Sequence, residues 1–187
     1  MRKTLLAAAL AAVSVSAFAQ EGNLLQEVRQ TAMSMPPKLL EVLDAEIKKS
    51  GHAEAMVVCR DKAPAMAKAL SEAKGMQIRR VSLKNRNPKA VPDAWERRVL
   101  EDFEKRTEAG EKPGSLEASE IVREDGKRVM RYMKALPTQD LCLACHGTED
   151  RLDKDVKAKL KELYPDDKAV GYSAAQIRGA ITVKKAL

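Results

Sequence analysis

Apolar positions recur at helical spacing over residues 23–50, where Leu24, Leu25, Val28, Leu39, Val42, Leu43 and Ile47 fall on one face. Pro36-Pro37 is placed to interrupt or kink this run, and Gly51 to end it. Ala53 to Val58 lead to Cys59, and a second helix is predicted from about Pro64 to Lys74, with the proline suited to its first turn and Gly75 just past its end. The period then changes: Ile78, Val81 and Leu83 predict a strand over Gln77–Lys84, followed by the turn Asn85-Arg86-Asn87-Pro88. A third helix begins near Pro92-Asp93 and turns Trp95, Val99, Leu100 and Phe103 inward, with Glu96, Arg97, Glu101, Asp102 and Lys105 toward water.

Two β-like runs, Ser115–Arg123 and Lys127–Leu136, flank Asp125-Gly126, the strongest short hairpin signal in the chain. Beyond residue 150, Leu152, Val156, Leu160 and Leu163 mark an amphipathic helix that ends at Tyr164-Pro165-Asp166-Asp167. Gly171-Tyr172 makes a bend, and Ile177–Lys184 reads as a last strand. No internal repeat, low-complexity tract or long linker divides the chain. The pattern predicts one α+β domain with an antiparallel sheet.

The first residues change the picture of where this domain works. Arg2 and Lys3, the apolar run Leu5–Val15 and the small-x-small site Ala17-Phe18-Ala19 predict a signal peptide over residues 1–19, leaving a mature domain of residues 20–187. The apolar run is too short to span a bilayer and no later segment qualifies, so a periplasmic protein without a membrane span is expected. Losing Arg2 and Lys3 reduces 34 basic residues to 32 against 27 acidic ones, a formal charge of +5. The two signs are interleaved and aromatics make up 3% of residues, which argues against nucleic-acid binding and leaves a basic face for an acidic redox partner or for haem propionates.

Cys142-Leu143-Ala144-Cys145-His146 carries the candidate chemistry. Two thiols three residues apart with a histidine directly after the second fit covalent attachment of one c-type haem, the thiols adding to its vinyl groups and His146 taking an axial position. A zinc site would need further Cys or His ligands at suitable spacing beside the motif, and the rest of the chain offers only Cys59 and His52. A thioredoxin-like pair opens a helix after a strand in a βαβ unit, whereas the flanks Pro137–Asp140 and Gly147–Asp150 read as loop. The export signal agrees with haem c.

With Cys142 and Cys145 in thioethers, Cys59 is left alone in an oxidising compartment, either a buried small hydrophobe or an iron ligand. His52 reads as a surface residue, and Met56, Met66, Met76, Met130 and Met133 as core residues that also carry a candidate thioether. Arg79, Arg80, Lys84 and Arg86 form a cluster suited either to haem propionates or to a solvated strand edge.

Several stretches taken together resemble a known family: Val58-Cys59 with Ala63-Pro64, Arg80 through Pro88, Pro92 through Glu96, Cys142 through Gly147, Tyr164 through Ala169, and Arg178-Gly179-Ala180. They are similar to exported c-type haem proteins of the cyanobacterial Tll-type, a domain-of-unknown-function family with a PAS-like fold. The resemblance implies a PAS-like antiparallel sheet with flanking helices, His146 as one axial ligand and the Cys59 thiolate as the other. Ala90 stands where the family leads one to expect Asn, and Ala175 where it leads one to expect Gly.

A thiolate ligand stabilises ferric iron and lowers the reduction potential; its release on reduction would open a position for a diatomic gas such as CO or NO. The expected role is a redox- or gas-responsive sensor or binding module acting with a periplasmic redox or signalling partner. The alternative is a diffusible electron-transfer cytochrome. No Ser/His/Asp set, phosphate loop or carboxylate pair points to an enzyme.

Overall fold

The helical period of the N-terminal half produces a long helix, α1 (Thr4–Val57), whose Val28, Ala32, Met35 and Leu39 are buried. In this computed structural model the backbone is described for residues 4–187 and the side chains from residue 21 onward. The predicted signal peptide, residues 1–19, lies outside the residues whose side chains are described. Pro36 and Pro37 lie within α1, and the break comes instead at Gly51, whose backbone (φ 82°, ψ 171°) is non-helical and joins two helical stretches. The helical path then continues through a π turn, Val58–Lys62, directly into α2 (Ala63–Lys74), which Gly75 closes in the left-handed conformation. Cys59 therefore sits on a π turn inside a helical run, and not ahead of a separate helix.

Four strands follow: β1 (Gln77–Val81), β2 (Glu117–Glu124), β3 (Lys127–Pro137) and β4 (Ile177–Ala186). They form one antiparallel sheet in the order β1-β4-β3-β2. The β2–β3 turn has positive φ at both Asp125 (50°) and Gly126 (77°), the geometry that an Asp-Gly hairpin predicts. Strand alternation gives the sheet two buried faces. On one, Ile78, Tyr132, Ile181 and Val183 pack against α1 and α2; on the other, Val81, Met133, Ala135 and Ala180 pack under α3 (Ala94–Glu108) through Trp95, Leu100 and Phe103. A third cluster joins α5 (Lys154–Leu163) to Met56 through Leu152, Val156, Leu160 and Tyr164. The result is the single-domain α+β architecture expected of a PAS-like fold. Among the described residues no helix is long and apolar enough to cross a membrane.

Three sequence expectations are corrected. Glu96, expected to face water, is fully buried. Asp93 caps α3 and Glu96 reaches back to the Asp93 N–H, and the same carboxylate pairs with Arg79. A carboxylate at the third helical position that must complete a capping box points back to the helix start, here into the sheet. The loops flanking the cysteine motif are shorter than expected, two residues of coil on each side (Thr138-Gln139 and Gly147-Thr148): β3 runs to Pro137, and the motif itself is a short helix, α4 (Asp140–His146). The strand predicted over Gln77–Lys84 stops at Val81, where the chain turns so that the Ser82 N–H donates to Ala90 O (3.0 Å).

Ala175 adopts φ 66°, in the left-handed region that favours glycine. A non-glycine residue there is strained by roughly 1–2 kcal/mol, while glycine adds roughly 0.4–1 kcal/mol of unfolded-state freedom. Ala175→Gly is accordingly expected to raise stability by up to about 1 kcal/mol in thermal denaturation. A lower melting temperature would show that the strain at Ala175 is smaller than the freedom glycine adds to the unfolded chain.

Candidate functional site

The two helical stretches of α1, the π turn, α4 and the sheet edge at β1 and β4 enclose a cavity of about 1080 Å³, its open mouth included. Cys59, Cys142, Cys145 and His146 all line it. Cys142 and Cys145 are one turn apart on α4, so that the two thiols share a face. Leu39, Leu43, Ile47, Leu136, Leu141 and Ile181 supply an apolar wall. A second cavity of about 1170 Å³, again counted with its opening, shares Met35, Cys59, Arg80, Arg86, His146, Tyr164 and Arg178 with the first and has a far more basic lining, with Lys68, Arg79 and Lys89. The two meet at Cys59 and His146.

His146 is held from several directions. Its Nδ1 donates to Ala169 O (2.7 Å), which leaves Nε2 deprotonated and free to ligate. Its own carbonyl accepts from the Tyr172 N–H (2.9 Å), and the next carbonyl, of Gly147, accepts from the Gly171 N–H (2.8 Å). Burial, reinforced by the Arg178 and Arg86 guanidiniums, holds the imidazole pKa well below the ordinary histidine value, in the neutral form that a metal ligand requires. The Arg86 guanidinium ties α4 to the segment after α5: it pairs with Asp167 (2.9 Å) and donates to Cys145 O (2.6 Å) and Ala169 O (3.3 Å).

The cysteines keep some contact with the cavity space, yet protein surrounds them densely enough to govern their chemistry. Burial pushes Cys145 up to about 11. Burial also raises the Cys59 thiol, against the pull of Arg80, Arg86 and Arg178. Among the described residues no group of three or more His, Cys, Asp or Glu side chains converges as a bare-ion site would. The donors line a space instead of meeting at a point, which fits a large ligand attached at one edge and coordinated at its centre. The strand-to-helix step β3–α4 is not half of a βαβ unit either, since every strand pair is antiparallel.

Other expectations sort themselves by position. His52, expected on the surface, is half-buried and lines the first cavity, because the break at Gly51 turns the second helical stretch across its mouth. Met76, Met130 and Met133 are core residues; Met56 is core and also reaches the cavity wall. Of the predicted basic cluster, Arg80 and Arg86 line both cavities. Arg79 reaches the second, yet its guanidinium is bound to Glu96 and to the Lys89 and Val91 carbonyls. Lys84 leaves the cluster, donating to Val170 O (2.6 Å) with its ammonium 4.5 Å from the Tyr172 ring centre.

Arg178 takes their place, and sequence reasoning missed it as a site residue. Leu136 pairs with Gly179 and Pro137 with Ile177, so Arg178 is the extra residue of a β-bulge in β4. The bulge re-aims its side chain into the cavities. The available signal was the Arg178-Gly179 pair, a glycine inside a strand pattern.

A family model described as Tll0287-like matches residues 8–185. Among solved structures the chain is similar to the cyanobacterial heme-protein Tll0287, with 23% identity, a TM-score of 0.61, and coverage of 90% of this chain and 95% of that one. No curated protein matches.

Proposed function

From the premise that this chain belongs to the Tll0287-like family, we propose that it is a haem-binding protein of the periplasm, with one covalent c-type haem and a redox- or gas-responsive role. The observation that carries the reading is the convergence of Cys142, Cys145, His146 and Cys59, from segments more than eighty residues apart, on one apolar cavity with a basic end. Cys142 and Cys145 would hold the group by thioethers, His146 through Nε2 and Cys59 through its sulfur. When bound, haem supplies a one-electron centre whose potential the axial ligands set.

The two axial candidates are held unequally. His146 is fixed by α4, by Ala169 O and by the backbone bonds on either side of Gly147. The Cys59 side chain has no hydrogen-bond partner among the described residues and sits on a π turn, the irregular stretch between α1 and α2. Of the two residues that would hold the iron, Cys59 would be the more readily exchanged, and the bound haem would supply a centre responsive to oxidation state or to a diatomic ligand such as CO or NO. The partner that reads this response is a separate periplasmic protein. A second reading, a diffusible electron-transfer cytochrome, is favoured by the partial exposure of Cys142 and Cys145, which would bring the attached edge near the surface.

Ferric optical and electron paramagnetic spectra of the loaded protein separate these readings. The wild type should be low-spin with thiolate character, and Cys59→Ser should lose it and bind CO more readily when reduced. Coincident spectra would remove Cys59 from the iron and leave His52, Met35 or Met56, all on the cavity wall, as the ligand of an electron carrier.

A further inference from the structure

Three guanidiniums stand in the wall where the two cavities meet, and they are not equivalent. Arg86 is satisfied by Asp167 and by two backbone carbonyls. Arg178 is 9% exposed; its Nη1 donates to Ser82 Oγ (3.1 Å) and Lys84 O (3.3 Å), but its Nε has no partner, and among the described residues no carboxylate pairs with it. Arg80 has neither a hydrogen bond nor an ion pair among the described residues. Arg178, a buried cation with no carboxylate paired to it, is costly for a folded chain to keep unless an anion arrives with the ligand, and the half-buried Arg80 adds a second unpaired charge to the same wall. Cys142 and Cys145 line only the first cavity, whereas the extra basic residues Lys68, Arg79 and Lys89 line only the second. The thiols and these extra basic residues therefore lie on different sides of the shared wall, as a macrocycle with vinyl groups on one edge and carboxylates on another requires.

Resting on the haem reading, we infer that Arg80 and Arg178 are the residues that bind the two propionate carboxylates, and that Arg86 is not. Arg178 is turned inward by its bulge, and Arg80 lies opposite Ile181, three positions from Arg178 on the neighbouring strand, so the pair comes from adjacent strands of the sheet. A guanidinium presents a planar fork to a carboxylate, and a lysine in its place would keep the charge and lose the second bond. Arg86 has its fork already occupied and serves to fix Cys145 and His146 in place.

The test compares two probes on the full chain made without haem attachment: iron(III) protoporphyrin IX and its dimethyl ester, which differ only in the carboxylates. Wild type should bind the diacid at least about tenfold more tightly, equivalent to about 1.4 kcal/mol. Arg80→Gln and Arg178→Gln should each shrink that preference severalfold, Arg178→Lys should restore part of it, and Lys48→Gln, an exposed control of equal charge change, should leave it intact. On the loaded protein, the propionate bending band in resonance Raman spectra should shift in both glutamine variants, a readout independent of how well the unloaded chain folds. Equal affinity of wild type for the two porphyrins, or an unshifted band in both variants, would overturn the assignment while leaving the haem reading in place. Uptake of neither porphyrin, with no haem attached on export, would overturn the haem reading itself.

Discussion

Glu96→Ala is expected to lower the free energy of unfolding by about 3–5 kcal/mol, the cost of removing one partner from a buried ion pair. Glu96 is fully buried at the start of α3. One oxygen accepts from the Asp93 N–H (2.8 Å) and from Arg79; the other lies 3.6 Å from Arg131, a guanidinium only 4% exposed. Arg131 also pairs with Asp93 (2.7 Å) and Glu124 (2.9 Å) and stacks over Trp95 at 4.5 Å. Alanine would leave the Arg131 charge short of a partner, remove half of the helix cap and open a void against the sheet. Because whole domains are stable by only about 5–15 kcal/mol, the loss should be plain as an earlier urea midpoint. Glu96→Gln keeps the shape and the cap and should fall between the two. A loss below about 1 kcal/mol for the alanine variant would mean that the pairings of Glu96 contribute little.

Gly179→Ala should do comparable damage by a different route. Gly179 has φ 149°, a backbone that residues with a Cβ avoid, and a Cβ there would lie 2.3 Å from the Val81 carbonyl oxygen and 3.2 Å from Ser82 Cβ. Neither neighbour is the tip of a flexible side chain, so β1 would have to move away from β4. Backbone strain and lost ladder bonds together put the expected cost at about 3 kcal/mol or more. Since Gly179 follows Arg178 in the bulge, porphyrin uptake should fail along with stability. Gly114→Ala is the comparison: no atom lies within 4 Å of a Cβ at that position, and its circular dichroism melt should match the wild type. A Gly179→Ala melt that also matched would show that β1 and β4 separate freely at that point.

Much of this fold could be read from periodicity because its elements are amphipathic and punctuated. Gly75 ends α2, Asp125-Gly126 makes its hairpin, and the face of α5 carrying Val156 and Leu160 is buried as its spacing implies. The misplaced side chains share a cause, since each points against its local pattern. Glu96 looks like a solvent position on a helical wheel, but the demand of the helix start for a partner draws it inward. Arg178 follows no alternation because the bulge inserts an extra residue. His52 lies in a polar stretch, and only the direction taken by the chain after Gly51 brings it to the cavity. The motif at residues 142–146 stands out because its spacing is local; the residues that line the rest of the cavity answer to tertiary placement, which local pattern does not record.

The strand order has a bearing on how the molecule comes together in time. β4 is the last strand along the chain, yet it lies between β1 and β3 and is the sole link from β1 to the rest of the sheet. Gln77 pairs with Lys184, so β1 finds its neighbour more than a hundred residues later. Loops of that length close slowly, and everything before residue 177 can form only helices and an isolated hairpin. The wall that carries Arg80 and Arg178 is completed in the same event that completes the sheet. A chain translocated in an extended state would thus keep its binding cavity unassembled until its final strand docks.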